Sequence, residues 1–176
     1  IVKIIVTRGE SEFGYQIPDD IKTNIYFNKI PLIKYSNKPL KLGLSKYKLF
    51  SNSYLASIKH NNRLDQSIIA RELTKSKDHD DLLVLNRFNN VIETLSSNIF
   101  FIKENMGKIT VHTPKLSDTG IEGVMRSNII SDIQKQKIKV VIKRMPYSSI
   151  KKYDSCFISN SIRGVRFVES INKKKY

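Results

Sequence analysis

Val91-Ile92-Glu93-Thr94-Leu95-Ser96-Ser97-Asn98-Ile99-Phe100-Phe101 is an apolar, β-branched and aromatic run interrupted by one carboxylate. Such composition predicts a strand extending over 91–103, and Glu93 stands out within it. Immediately upstream, Leu82-Leu83-Val84-Leu85-Asn86 reads as a second short strand, with Asn89-Asn90 as the turn between them. Downstream, Asn105-Met106-Gly107 turns the chain into a strand over 108–112.

Further upstream, Leu64, Ile68, Ile69 and Leu73 recur at helical spacing, so 63–75 is expected to be an amphipathic helix. It is preceded by Ser57-Ile58-Lys59-His60-Asn61-Asn62-Arg63, which places Lys59 between an apolar stretch and the helix start. Residues 1–7 and 21–33 read as strands, and 10–20 as loop. Residues 34–49, rich in lysine with Pro39 and Gly43, read as a surface loop. Beyond Pro114, Ser117-Asp118-Thr119-Gly120-Ile121-Glu122-Gly123 is a capping-type sequence before a helix over 123–136. Strands are expected over 139–144 and 156–159, joined by a polar connection at 147–153. The fold class is therefore α+β, strand-rich with two main helices.

Composition narrows the function. At 176 residues with 40% apolar side chains, the chain can bury an ordinary core. No apolar run approaches the roughly 18 residues a membrane helix needs, which argues against a membrane protein. Cys156 is the single cysteine, which excludes an intrachain disulfide and fits a cytoplasmic setting. It reads as a small buried residue, because no base or positive cluster adjoins it. His60, His79 and His112 lack metal-ligand spacing. The net charge of +15 raises nucleic-acid binding as a rival function. However, the lysines are spread along the chain and are not interleaved with aromatics as a stacking platform requires.

Two side chains suggest chemistry. A lysine amine becomes a nucleophile when burial or neighbouring positive charge lowers its pKa, and Lys59 has Asn61, Asn62 and Arg63 beside it. With 23 lysines present, the ordinary alternative is a solvated surface amine. Glu93 can keep a pyridine nitrogen protonated, or it can be an outward strand residue paired with a lysine. Around Gly120–Arg126 the helix start offers backbone N–H groups as a phosphate seat, or is simply a cap. Ser96, Ser97 and Asn98 are either polar ligands or a strand-end cluster. Ser159-Asn160-Ser161 is either a second phosphate contact or a turn.

In order, Ile58-Lys59-His60-Asn61-Asn62-Arg63-Leu64-Asp65-Gln66, Val91-Ile92-Glu93 through Phe100, Thr113-Pro114, Gly120 through Arg126, and Ile158-Ser159-Asn160-Ser161 resemble the fold-type IV pyridoxal-phosphate enzymes. Among these, the aminodeoxychorismate lyases match best at Lys-His-x-Asn-Arg-Leu. The resemblance implies a strand-rich pseudobarrel flanked by helices, with pyridoxal 5'-phosphate as cofactor. Lys59 would be the Schiff-base lysine and the proton shuttle, and Glu93 would hold the pyridine nitrogen. Val124 and Met125 backbone groups would hold the phosphate, helped by Ser161 and Asn160, with Arg63 near the ring hydroxyl.

The implied reaction converts 4-amino-4-deoxychorismate to 4-aminobenzoate and pyruvate in a homodimer. The alternatives are a D- or branched-chain aminotransferase of the same fold, and a basic nucleic-acid-binding module. The family's smaller N-terminal domain supplies an arginine to the phosphate. Residues 1–17 are expected to be that domain's last strand and linker, with the cofactor domain over 18–176 and the chain truncated.

Overall fold

A computed structural model describes residues 2–11, 14, 16–31, 37–56 and 58–176. Expectations falling on 1, 12, 13, 15, 32–36 and 57 lie outside the described residues. In chain order the elements are β1 (Val2–Thr7), β2 (Asn24–Lys29), β3 (Leu40–Leu49), α1 (Leu64–Thr74), β4 (Asp81–Asn86), β5 (Val91–Thr94), β6 (Asn98–Asn105) and β7 (Lys108–Pro114). They continue with α2 (Val124–Lys135), β8 (Lys139–Lys143), a 3₁₀ helix (Tyr147–Lys152), β9 (Ser155–Asn160), β10 (Gly164–Ile171) and β11 (Lys174–Lys175).

The chain divides into two units, 1–36 and 37–176. In the first, β1 and β2 pair antiparallel from Val2 opposite Lys29 to Thr7 opposite Asn24. The expected boundary at 17/18 falls between these paired strands.

The second unit is one curved sheet in the order β5-β4-β3-β10-β9-β6-β7-β8, with β11 added to β10. Neighbours are parallel at β3/β4, β3/β10 and β7/β8 and antiparallel elsewhere. The sheet curls until its two ends nearly meet. Just after β8, the Met145 carbonyl accepts from the Val91 N–H at 2.8 Å, and the Tyr147 N–H donates to the Asn89 carbonyl at 2.9 Å. This is the pseudobarrel that the resemblance implied.

Central strands of such a sheet are buried on both faces, which is why their sequences are nearly continuous apolar runs. In β4, Leu83 and Leu85 face the interior with Ile99, Phe101, Tyr153 and Ile158. Leu82 and Val84 face outward under α1, with Ile69, Ile92 and Leu116. On the other flank Phe100 stacks on Phe157, centroids 4.7 Å apart, beneath Ile129, Ile130 and Ile133 of α2.

Three expectations need correction, and one strand was not anticipated. The lysine-rich stretch 34–49 is not a surface loop where it is described: it contains β3, a ten-residue strand between two neighbours in the sheet. Its lysines at 41, 46 and 48 occupy exposed or partly exposed positions, while Leu40, Leu42 and Leu49 are buried. The strand over 91–103 is two strands, broken by a bend at Leu95–Ser97. Ser117, Asp118 and Thr119 do not cap α2; its N-cap is Gly123, and no side chain caps it. Finally, β10 carries no expectation from sequence although it joins the two halves of the sheet, because Gly164–Ile171 mixes charged and apolar residues.

Replacing Leu42 by Ala should lower stability by about 2–5 kcal/mol, since its side chain is wholly buried. Lys41→Ala should change it by under about 0.5 kcal/mol. Urea unfolding of the two variants checks this; equal small effects would return the stretch to a loop.

Candidate functional site

The site is built on a bulge in β5. Leu85 pairs with Val91 and Val84 with Glu93, so Ile92 is an extra residue opposite β4. A bulge of this kind re-aims side chains and puts two successive residues on one side. Ile92 thereby packs under α1, and Glu93 follows it. The Glu93 side chain is buried, with 5% exposed.

Its carboxylate accepts a hydrogen bond from the Ile121 N–H at 3.0 Å, and Gln66 lines the same cavity. Burial raises its pKa to about 7, against the lowering effects of Ile121, the Arg63 charge and Gln66. Gly120 lies just below. Its φ of +89° favours glycine, and a Cβ there would come within 2.7 Å of Ile92 Cγ2 and 2.9 Å of Leu116 Cδ2.

Glu93 opens on a cavity of about 300 Å³, lined also by Phe50, Asn52, His60, Arg63, Gln66 and Thr119. Arg63, at the start of α1, ties this cavity to the lysine segment. Its Nε–H donates to the His60 carbonyl at 3.1 Å and its second guanidinium nitrogen donates to the Ile58 carbonyl at 2.9 Å. Those carbonyls flank Lys59, so one planar cation grips both sides of the lysine. Lys59 itself is exposed, and His60 beside it lines the cavity with Nδ1 buried and unpartnered. A cleft of about 750 Å³ within the first unit is larger, but its lining of Glu10, Asp20 and Lys22 among loop residues holds no buried charge.

The start of α2 is fixed from β6. Asn98 Nδ2 donates to the Ile121 carbonyl at 2.7 Å, and its Oδ1 accepts from the Gly123 N–H at 3.2 Å. The first N–H groups of α2, at Val124 and Met125, have no acceptor within the helix. Val124 is exposed. Opposite Asn98 in the sheet stands Ser159, whose Oγ is buried without a hydrogen-bond partner. Arg126, buried, anchors the same turn by donating to the Pro114 carbonyl at 3.0 Å; burial lowers its pKa.

The structure therefore brings Arg63 and Glu93 into one cavity, beside the segment that carries Lys59. Glu93 is linked to the α2 start at Val124 and Met125 through Ile121. Asn160 is engaged within its own turn: Oδ1 accepts from the N–H groups of Ile162 and Arg163, and Nδ2 donates to the Ser96 carbonyl and Ser97 Oγ. Ser161 is exposed at that turn. Ser159 was named from sequence only as part of Ser159-Asn160-Ser161, and Gln66 was not singled out. One turn of helix separates Arg63 from Gln66, so helical spacing was the available signal for it. Cys156 is buried and reduced, and burial pushes its thiol pKa up.

A buried carboxylate, an uncapped helix start and an orphaned serine hydroxyl are suited to a flat cationic ring bearing a phosphate. The model of the amino-transferase class IV family matches residues 1–171. The chain belongs to this family. Among curated relatives it is 29% identical to the aminodeoxychorismate lyase of Vibrio harveyi over 165 residues, 94% of this chain and 59% of the relative. It is 25% identical to a probable branched-chain-amino-acid aminotransferase of Rickettsia felis, over 98% of this chain and 59% of that one. Among solved structures, 4-amino-4-deoxychorismate lyase from Pseudomonas aeruginosa matches with a TM-score of 0.89 at 26% identity, over 99% of this chain and 64% of that one. The chain thus spans about three fifths of the curated relatives it matches. Among its described residues no helix is long and apolar enough to cross a membrane.

Because the folded pKa of Glu93 lies above its ordinary 4.5, its contribution to stability is full below about pH 4.5 and is lost as pH rises to about 7. The protein without cofactor should lose stability across that window relative to Glu93→Gln. Urea midpoints of both proteins at several pH values measure it; parallel curves would refute the buried carboxylate.

Proposed function

We propose that this chain holds pyridoxal phosphate and acts in the conversion of 4-amino-4-deoxychorismate to 4-aminobenzoate and pyruvate. The observation that carries the reading is Glu93, buried at one side of a cavity whose other side adjoins the Lys59 segment. When bound, the cofactor supplies an aldehyde carbon and a ring that takes up an electron pair from the substrate Cα.

The chain's own residues have separable tasks. Glu93 holds a proton at the ring-nitrogen position; a cationic ring there would draw its pKa down again and keep the carboxylate charged. Lys59 would supply the amine that holds the cofactor and the base that moves the proton at the substrate Cα. Arg63 fixes the backbone on both sides of that amine and keeps positive charge near it. Val124 and Met125 N–H groups seat the phosphate at the α2 start, with Ser159, Ser161 and Asn160 as candidates on the neighbouring strand end. A homodimer in the cytoplasm remains part of the proposal, supported by the resemblance.

A second reading has a specific support. The R. felis aminotransferase matches over a similar extent at nearly the same identity, so amino transfer to a 2-oxo acid fits the same lysine and carboxylate.

The full-length protein should release pyruvate from aminodeoxychorismate without consuming 2-oxoglutarate. Amino transfer to 2-oxoglutarate with no pyruvate would assign it to the aminotransferases. Borohydride should attach the cofactor to Lys59, and Lys59→Ala should abolish both attachment and turnover, a loss of at least about a thousandfold. Attachment at another lysine, found by peptide mass mapping, would contradict the assignment.

A further inference from the structure

We propose that Asn98 is a positioning residue that sets the phosphate seat at a fixed distance from Glu93. The proposal rests on the cofactor reading above. Its basis is a continuous run of short contacts. Glu93 Oε2 accepts the Ile121 N–H, Asn98 Nδ2 donates to the carbonyl of the same Ile121, and Asn98 Oδ1 accepts the Gly123 N–H. Gly123 is the N-cap of α2, so the next N–H groups along the chain are those of the seat itself. Both polar atoms of the Asn98 amide are engaged by the turn, and the side chain is buried.

The two anchoring strands are held together as well. The bend between β5 and β6 is closed by the Thr94 N–H donating to the Ser97 carbonyl at 2.8 Å, and Thr94 Oγ1 donates to buried Asp81 at 2.9 Å. Glu93 and Asn98 therefore stand on a rigid base and grip Ile121 from opposite ends of its backbone. A ligand bearing a ring nitrogen and a phosphate must match that span.

Gly123 supplies an independent handle. A Cβ there would meet Asn98 Oδ1 at 2.4 Å, whereas its φ of −67° suits any residue. Gly123→Ala should therefore push the seat off Asn98 without straining the backbone, and removing the Asn98 amide should make room for the methyl.

The test uses the full-length protein and two probes, pyridoxal phosphate and pyridoxal, with affinities from absorbance titration. Asn98→Ala and Gly123→Ala should each weaken pyridoxal phosphate by about tenfold or more while pyridoxal changes by less than about threefold. The double variant should be no worse than Asn98→Ala alone. A buried asparagine that merely supports the fold would lower both affinities together, or neither, and that result overturns the proposal. Should Asn98→Ala not fold, the Gly123→Ala ratio decides alone. A wild-type protein that binds neither probe overturns the cofactor reading and this proposal with it, whereas intact wild-type binding with unchanged variant ratios overturns only the role of Asn98.

Discussion

Glu93 is a carboxylate taken out of water and held by one backbone N–H, with Gln66 and the Arg63 guanidinium lining the same cavity. Removing a carboxylate from water is costly, and these contacts offset the cost only in part, which leaves the group titrating near neutrality. A bulge places it there, a glycine at positive φ makes the space beside it, and the turn into α2 hangs from it. The site is thus organised around a charge that the fold tolerates rather than favours. A cationic partner within the cavity would remove the penalty. Strained electrostatics of this kind mark functional sites more often than structural ones.

Rigidity in the surroundings follows from how the sheet is filled. Interior residues such as Phe101 and outer residues such as Phe100 alternate along β6, so the strand beneath the turn is packed from both sides. Helix α1 is docked on β3 by Glu72, which accepts from Ser45 Oγ at 2.8 Å and from the Lys46 N–H at 2.8 Å. At the other end of the helix the Tyr47 hydroxyl donates to Asp65 Oδ1 at 2.5 Å, which fixes the helix start, and with it Arg63 and the carbonyls around Lys59. The lysine segment therefore borrows its order from a strand that precedes it in the chain.

Much of this was legible in the residues. The apolar runs 82–86 and 91–101 announced buried strands, and Leu64, Ile69 and Leu73 announced α1. Glu93 stood out because a charged residue in such a run needs a reason. What escaped were features set by partners distant in sequence. β3 reads as lysine-rich until Leu40, Leu42 and Leu44 are seen within the barrel and Leu49 under α1. β10 has exposed Val165 and Phe167 and buried Val168 and Ile171, a pattern too broken for periodicity. Nor does the sequence say that Ile92 is an extra residue in the ladder, because a bulge is defined only against the opposing strand. Asn98 and Ser159 illustrate the same limit: their significance comes from being directly opposite each other across β6 and β9.

The account turns on whether the carboxylate of Glu93 meets a protonated ring nitrogen. ¹⁵N NMR of full-length protein loaded with pyridoxal phosphate labelled at the ring nitrogen observes that atom directly. A resonance in the pyridinium range at neutral pH, moving to the unprotonated range in Glu93→Gln, is the predicted result. An unprotonated ring nitrogen in the wild-type protein would contradict the account.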